Sequence, residues 1–359
     1  MPRRRCRSSA CCRPSAGPDP TLSDDAQRTL FHPFETGDID LPSKDARVLF
    51  LGAEPGFRLP EGFDAQLTCV QGFRPSFLRL RAERRHVVTE AQGGPYDLAL
   101  VLVEKHRGLS ELRIAAALRR LSPEGILVVA GAKDDGIASL RKRIETLAPL
   151  DGSLSKHHGI AFWLRRPADA SAIATMLEKG NEAPLVAGRF RAAPGMFSYD
   201  RVDPGSRLLA ENLPGDLSGV AADFCAGWGY LAAQVLDRCP AITSVDLFEA
   251  DHAALEAARA NLEDHAARTA FHWIDLAAEP VQRRFDAIVM NPPFHQGRAG
   301  NPGIGEAMMR AASAALRPTG RLVMVANRHL PYEAALDKLF RQHREVVRDA
   351  GFKVLVARR

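Results

Sequence analysis

The residues best suited to do chemistry form the run Asn291-Pro-Pro-Phe294, which directly follows the apolar stretch Phe285–Met290, typical of a buried strand. Proline cannot donate to a sheet, so the double proline ends the strand and stiffens the next turn. The Asn291 amide and a nearby backbone carbonyl then offer two acceptors at the carboxyl end of the strand. Two acceptors suit a planar amino group, because gripping both N–H groups helps its nitrogen to present a lone pair to an electrophilic methyl group. Phe294 is suited to stack on the base that carries the amine.

A second candidate lies upstream, where Asp223-Phe-Cys-Ala-Gly-Trp-Gly229 follows a strand and opens a helix. Two glycines at such a turn let the backbone approach a ligand closely, with the helix N-terminus beyond. About 20 residues further on, a strand ends at Glu249, whose carboxylate is placed to accept hydrogen bonds from both hydroxyls of a ribose. The spacing predicts a nucleoside cofactor, whereas a dinucleotide would require G-x-G-x-x-G, which is absent.

These motifs stand among near-continuous apolar strands that alternate with helical patterns, which indicates a parallel α/β sheet covered on both faces. The predicted strands are Arg47–Gly52, Asp97–Val103, Gly125–Ala130, Gly159–Leu164, Val220–Phe224, Ile242–Phe248, Phe285–Met290, Gly320–Ala326 and Phe352–Ala357. Similar patterns recur at offsets of about 190 residues, for example Leu121-Ser-Pro-Glu-Gly125 and Leu316-Arg-Pro-Thr-Gly320. The repetition predicts a duplicated domain. We expect a first domain over 21–170, a linker over 171–187 and a second domain over 188–359.

Composition favours an ordinary globular protein: of the 359 residues, 46% are hydrophobic and 25% charged. The net charge is +5, but residues 1–20 contribute +4 of it, and we interpret this arginine-rich segment as a disordered basic tail. The six cysteines show neither a disulfide pattern nor zinc-ligand spacing, so we expect no metal and a reducing, cytoplasmic location. No apolar run is long enough to suggest a membrane span. The stretch Phe73–His86 is basic with aromatics and suits either RNA or a solvated helix face.

Together, Asp223–Leu231, Glu249 and Asn291–Phe294 resemble a class I S-adenosylmethionine-dependent methyltransferase acting on exocyclic nitrogens. More specifically, the chain from about Phe31 to its C-terminus is similar to the ribosomal RNA small-subunit methyltransferase C family, which methylates guanine N2. The similarity rests on four segments: Asn291–Gly297, Pro194–Ser198, Asp203–Leu209 and Val325–Pro331. It implies two tandem Rossmann-like class I methyltransferase domains, of which the N-terminal one is degenerate. The first copy fits, since Glu54-Pro55 replaces the glycine turn and Leu102-Val-Glu-Lys105 replaces Asn-Pro-Pro-Phe.

The resemblance also implies roles for individual residues. Asn291, Pro292, Pro293 and Phe294 would be catalytic, and His295 and Arg298 would contact the substrate. The cofactor S-adenosylmethionine would be held at its methionine end by Asp223, Gly227 and Gly229, at the ribose by Glu249 and at the adenine by Asp275, with Phe197 in a segment that closes over it. One departure is Cys225, which stands where many relatives have the first glycine of the turn.

The implied activity is N2 methylation of a guanine in 16S ribosomal RNA by a monomer that makes no membrane contact. A large-subunit, 23S guanine-N2 methyltransferase is the nearest alternative, because the motifs do not separate the two. Protein-glutamine and DNA-adenine methyltransferases share Asn-Pro-Pro-aromatic, but His-Gln-Gly297 and the duplication argue against both. A catalytically inactive RNA-binding scaffold is the alternative from a different class, and intact Glu249 and Asn291–Phe294 argue against it.

Overall fold

A computed structural model describes residues 20–293 and 302–359 of the chain, and the side chains of residues 25–293 and 303–359. The arginine-rich segment predicted as a tail lies outside the described residues, except for Pro20, which begins the first helix. Phe294, His295 and Arg298 also lie outside them. None of the described helices is both long enough and apolar enough to cross a membrane.

Two seven-stranded sheets form the frame of the molecule. The strands of the first are β1 Arg47–Leu51, β2 Gln66–Val70, β3 Val87–Val88, β4 Tyr96–Leu102, β5 Leu121–Ala132, β6 Gly152–Lys156 and β7 Gly159–Arg165. Those of the second are β8 Gly219–Phe224, β9 Ile242–Glu249, β10 Thr269–Trp273, β11 Phe285–Met290, β12 Leu316–Asn327, β13 Gln342–Asp349 and β14 Phe352–Arg358.

The two sheets have the same topology. Their orders are β3-β2-β1-β4-β5-β7-β6 and β10-β9-β8-β11-β12-β14-β13, which are identical once each sheet is counted from its own first strand. In both, the first five strands are parallel and the last two pairings are antiparallel. The prediction of two tandem Rossmann-like α/β domains is therefore confirmed.

Helices cover both faces of each sheet, as parallel strands require. They are α1 Pro20–Glu35, α2 Arg74–Ala82, α3 Arg107–Leu118, α4 Ile137–Glu145, α5 Ala170–Lys179, α6 Pro204–Glu211, α7 Tyr230–Arg238, α8 His252–Asn261, α9 Pro302–Ala315 and α10 Glu333–Leu339. Two 3-10 turns, Lys133–Asp135 and Glu263–Arg268, complete the described elements.

Alternate residues of the central strands feed two separate cores, one on each side of the sheet. In β11, Ala287 and Val289 pack with α7, whereas Ile288 and Met290 pack on the opposite face with α9. All four are essentially inaccessible to solvent, which explains why this strand has no polar alternation in the sequence. The helix α5, which the sequence places in the connector, packs Ile173 and Leu177 into the core of the first domain.

Five strands escaped the sequence analysis: β2, β3, β6, β10 and β13. They are short or half-exposed, and the strand β13 at the edge of the second sheet, Gln-His-Arg-Glu-Val-Val-Arg-Asp, is mostly polar. An edge strand is held by backbone hydrogen bonds on one side only and does not need a continuous apolar run. Hydrophobic patterning therefore identifies the buried centre of each sheet and misses its margins.

Candidate active site

The candidate site lies where β8, β9 and β11 end, since these neighbouring strands are parallel and finish at the same edge of the second sheet. Phe224, the last residue of β8, is level with Phe248 of β9 and Met290 of β11. Chain segments leaving the three strands therefore meet. Ligands of open α/β sheets bind at this kind of edge.

The turn from β8 to α7 is built by left-handed backbone conformations. The φ angles are +60° at Cys225, +53° at Gly227 and +87° at Gly229. A Cβ added at Gly229 would lie 3.1 Å from the Cβ of Ala258 in α8, so glycine there permits close helix contact. A Cβ at Gly227 would meet no heavy atom within 4 Å, so the space over this backbone is open for a ligand.

The carboxylate of Glu249 ties the turn to the end of β9. Its Oε2 accepts a hydrogen bond from the backbone N–H of Gly227 at 2.8 Å. Its Oε1 accepts from the N–H groups of Ala250 and Asp251 at 2.7 and 2.9 Å. Burial raises the pKa of Glu249 above its ordinary value, against the effect of these bonds. Because each oxygen has two lone pairs, Oε2 can accept one further hydrogen bond without rearrangement.

Asp223 is a buried carboxylate whose hydrogen bonding is incomplete. Its Oδ2 accepts from the N–H of Ala232 in α7 at 2.9 Å. Its Oδ1 is buried and has no hydrogen-bond partner among the described residues. Desolvation raises the pKa of Asp223 well above its ordinary value. An unpartnered buried oxygen beside a turn that faces open space is a place where a ligand donor would be favourable.

The amide of Asn291 is oriented by the helix α6. Its Nδ2 donates to Asp203 Oδ2 at 3.0 Å and to Ser206 Oγ at 2.8 Å. Asp203 is also the N-cap of α6, since the same Oδ2 accepts from the N–H of Ser206 at 2.8 Å. Both N–H groups of the amide are thus used, and the buried Oδ1 is left without a partner among the described residues. The amide oxygen is the end that remains available for a ligand.

A pocket joins the amide to the glycine turn, and Phe197 stands at its side. The pocket is lined by Phe197, Ser198, Asp203, Ser206, Cys225, Ala226, Gly227, Trp228, Tyr230, Leu231 and Asn291. Phe197 as a residue is 64% exposed, which is unusual for a phenylalanine. Its backbone carbonyl accepts from Trp228 Nε1 at 3.0 Å, and this bond fixes the segment to the turn.

Asp275 lies in the loop after β10, on the other side of Glu249. The N–H of Ile274 donates to the backbone carbonyl of Glu249 at 2.9 Å, which holds this loop beside the end of β9. The side chain of Asp275 accepts from the N–H of Ala277 at 2.9 Å. The remaining candidates, Pro292 and Pro293, follow Asn291 directly, the first buried and the second exposed.

The structure thus brings Asp223, Gly227, Gly229, Glu249, Phe197 and Asn291 to one sheet edge, with Asp275 next to it. Sequence reasoning missed the role of Asp203 and Ser206, although Asp-Pro-Gly-Ser shows an N-cap residue followed by proline at the first helical position. Among the described residues there is no group of three or more histidines, cysteines or carboxylates that could hold a metal ion.

The second of two tandem α/β domains has a glycine turn after its first strand, an acidic residue at the end of its second and Asn-Pro-Pro after its fourth. These features define a Rossmann-like class I methyltransferase. Comparison with known proteins agrees: residues 187–356 match the methyltransferase small domain family. The chain is 31% identical over 284 residues to ribosomal RNA small subunit methyltransferase C of Pseudomonas aeruginosa, covering 77% of this chain and 83% of that one. The chain belongs to the ribosomal RNA small subunit methyltransferase C family.

Two further relatives extend the comparison. The enzyme of the same name from Psychromonas ingrahamii is 28% identical over 285 residues, which cover 77% of this chain and 80% of the relative. A solved structure of the Thermus thermophilus 16S rRNA N2 G1207 methyltransferase, in complex with AdoMet and guanosine, superposes with a TM-score of 0.74. That pair is 25% identical, and the match covers 95% of this chain and 93% of the other.

Cys225 provides a test of the turn geometry. Strand register makes it equivalent to Gly52 of the first domain, which has a φ of +74°. A side chain in this region costs about 1 kcal/mol or more. We expect Cys225→Gly to change the free energy of unfolding by no more than about 1 kcal/mol, and Cys225→Val to lower it by about 1–3 kcal/mol. Denaturant unfolding measures both, and a valine variant as stable as the glycine variant would contradict the expectation.

Asp203 and Ser206 provide a test of the amide orientation. We expect Asp203→Ala to lower kcat for methyl transfer by about tenfold, because the Asn291 amide loses a partner that holds its Nδ2. Asp203→Asn should recover most of the rate, since one amide oxygen can accept both bonds. Ser206→Ala keeps the backbone cap of α6 and should still reduce kcat. Steady-state kinetics measure kcat for each variant, and thermal melts measure its stability. If kcat falls only in variants that also lose stability, Asp203 acts only as the N-cap of α6.

Proposed function

We propose that this chain transfers a methyl group from S-adenosylmethionine to the exocyclic N2 of a guanine in 16S ribosomal RNA. The single observation that carries the proposal is the Asn291 amide, whose nitrogen is bound to Asp203 and Ser206 while its oxygen is buried and unpartnered among the described residues. An acceptor with this orientation suits a substrate amino group, which can donate one of its N–H groups to the amide oxygen. Membership of the family and the likeness to the Thermus thermophilus 16S rRNA N2 G1207 methyltransferase support the same substrate.

The residues at the edge fit the cofactor. The unpartnered Oδ1 of Asp223 and the open space over Gly227 suit the positively charged amino end of a methionine moiety. The remaining lone pair of Glu249 suits a ribose hydroxyl, and Asp275 lies where the adenine amine would follow. S-adenosylmethionine supplies an electrophilic methyl group on a sulfonium when it is bound.

The protein's part in the reaction is orientation. Asn291 Oδ1 accepts one N–H of the guanine amino group and so aims the nitrogen lone pair along the line of attack. Asp203 is occupied by the amide of Asn291 and the N–H of Ser206, so it positions Asn291 and does not act as a base. Methyl transfer leaves the amine nitrogen positively charged with one proton too many, and that proton is acidic enough to leave to water. Phe294, His295 and Arg298 remain proposed substrate contacts.

We also propose that the substrate base is unstacked from its RNA helix, because its amino group cannot otherwise reach a pocket at a sheet edge. A cytoplasmic monomer fits this activity. The segments that follow β2 and β9 pair with each other within one chain, so these two segments are not available to pair with a second copy. Light scattering at the mass of one chain would support a monomer.

The substrate assignment is tested in cells that lack the gene. We expect N2-methylguanosine to disappear at one position of 16S ribosomal RNA, as read by nucleoside mass spectrometry with primer extension. Re-expression of the wild-type chain should restore it, and re-expression of Asn291→Ala should not. Loss of the modified base from 23S RNA instead would identify 23S RNA as the substrate. No loss from either RNA would refute the activity.

The role of Asn291 is tested on the purified protein. We expect Asn291→Ala to reduce kcat by about 10²–10³, as removal of a preorganised transition-state contact does, while the Kd for S-adenosylmethionine changes by less than about twofold. Isothermal titration and single-turnover kinetics separate the two quantities. If titration shows no cofactor binding to the wild-type chain, the inactive-scaffold alternative is correct.

We expect the Asp223 carboxylate to lower the stability of the fold and to strengthen cofactor binding. Burial raises its folded-state pKa, so ionisation of this carboxyl opposes folding. The cost is full above the folded-state pKa, shrinks as the pH falls below it, and is lost only below the pKa of the unfolded chain. We expect Asp223→Asn to raise Tm by about 2–4 °C at pH 8, with a smaller difference at pH 5, and to weaken cofactor binding. Thermal melts at both pH values check this; a lower Tm for the variant at pH 8 would contradict it.

A further inference from the structure

The first domain has the same strand arrangement as the second, but at the equivalent sheet edge its own side chains hydrogen-bond to one another. Strand register makes Glu54 equivalent to Gly227 and Gln71 equivalent to Glu249. Glu54 Oε1 accepts from Gln71 Nε2 at 2.9 Å, and its Oε2 accepts from Ser76 Oγ at 2.8 Å. Both carboxylate oxygens are thus satisfied inside the protein. We call Glu54, Gln71 and Ser76 the refilled site.

The refilled site holds the segment that meets the second domain. Gln71 is only 5% exposed, and its Oε1 accepts from the N–H of Phe73 at 2.8 Å. Its Nε2 also donates to the backbone carbonyl of Ala53 at 2.9 Å. Ser76 belongs to the first turn of α2, so Glu54 fixes the start of this helix as well. The backbone from Gly72 to Phe77 is therefore anchored from within the first domain.

This segment pairs with the residues that follow Glu249. The N–H of Arg74 donates to the carbonyl of Ala250 at 2.8 Å, and the N–H of His252 donates to the carbonyl of Gly72 at 3.0 Å. Trp273 Nε1, at the end of β10, donates to both carbonyls, at 2.8 Å to Ala250 and 3.1 Å to Gly72. The ring of Phe77 meets the Trp273 ring edge-on at 4.8 Å between centroids.

A charged contact continues from this pairing to the loop of Asp275. The guanidinium of Arg74 binds Glu279 through two bonds, Nε to Oε2 at 2.9 Å and Nη2 to Oε1 at 2.6 Å. It also lies 4.7 Å from the centroid of the Trp273 ring. Glu279 Oε2 in turn accepts from the backbone N–H of Asp275 at 3.0 Å. Arg74 and Glu279 are 22% and 27% exposed, so solvent weakens this forked pair less than a fully exposed one.

We propose that the refilled site of the first domain sets the affinity of the second domain for S-adenosylmethionine, acting through Arg74, Glu279 and Asp275. The inference rests on the proposed function. The two loops that would hold the adenosine, one after Glu249 and one around Asp275, are both contacted by the segment Gly72–Phe77. If the segment loosens, both loops lose a fixed position and ligand binding must order them. Arg74 and Glu279 are thus positioning residues.

The test is Arg74→Met, which keeps the apolar stem and removes the fork. We expect a Kd for S-adenosylmethionine about tenfold weaker by isothermal titration, within the usual range of coupling between sites. At saturating cofactor, kcat should stay within about threefold of wild type, so the effect falls on the KM for cofactor. Arg119→Met is the matched control, because Arg119 makes an equally forked pair with Glu178 inside the first domain. Its cofactor Kd should stay within about twofold.

Two additional variants separate positioning from general stability. Glu279→Gln should also raise the Kd for S-adenosylmethionine. The double variant with Arg74→Met should have a Kd no higher than that of the weaker-binding single variant, because both changes remove the same contact. Ser76→Ala removes one hydrogen bond to Glu54. It should raise the Kd for S-adenosylmethionine by about twofold to fivefold, although the lost hydrogen bond lies within the first domain. Titrations are run well below the measured Tm of each variant, with the binding stoichiometry as a check on folding.

The outcomes are distinct. Cofactor binding by Arg74→Met equal to wild type, or an equal loss in Arg119→Met, overturns the inference. Additive losses in the double variant overturn the route through Glu279. If the wild-type chain itself fails to bind S-adenosylmethionine, the proposed function fails instead.

Discussion

An amide side chain has two similar ends, and hydrogen bonds alone decide which end faces a ligand. At Asn291 the decision is made by α6, whose cap residue Asp203 and whose Ser206 take both amide N–H groups. The helix must lie close to the sheet for this reach. Gly205 permits it, since a Cβ there would lie 2.9 Å from the ring of Phe352 in β14. The orientation of Asn291 at the end of β11 thus depends on residues that precede it by 88 and 85 positions.

The two domains differ most in what they leave unsatisfied. In the first, desolvation raises the pKa of the partly buried Glu54, and both of its carboxylate oxygens accept hydrogen bonds, from Gln71 and Ser76. In the second, Asp223 and Asn291 each keep one buried oxygen without a partner among the described residues. An unpaired buried oxygen costs stability, and a ligand that fills it recovers that cost. The same sheet topology therefore supports a closed edge in one copy and an open, ligand-ready edge in the other.

The sequence predicted the centre of each sheet and the ends of its central strands, because buried parallel strands are continuous apolar runs and their ends carry the polar motifs. It could not predict the strands at the margins, such as β13, whose polar residues pair on one side only. It also could not predict that Arg74 meets Glu279, 205 residues away, since nothing local marks either as a partner. For the basic stretch Phe73–His86 the sequence left RNA contact or a solvated face open, and Arg74 instead joins the two domains.

The contact between the domains is nearly reciprocal. By strand register, Gly72, Phe73 and Arg74 are equivalent to Ala250, Asp251 and His252, and these two segments pair with each other in antiparallel fashion. Such pairing of like with like is the pattern of a twofold interface between identical subunits. In one chain the two halves are free to differ. The half that keeps Glu249 can hold a ligand beside the interface, and the half that carries Gln71 can become rigid support for it. A duplicated domain that has lost its ligand site can therefore still determine how well its partner keeps one.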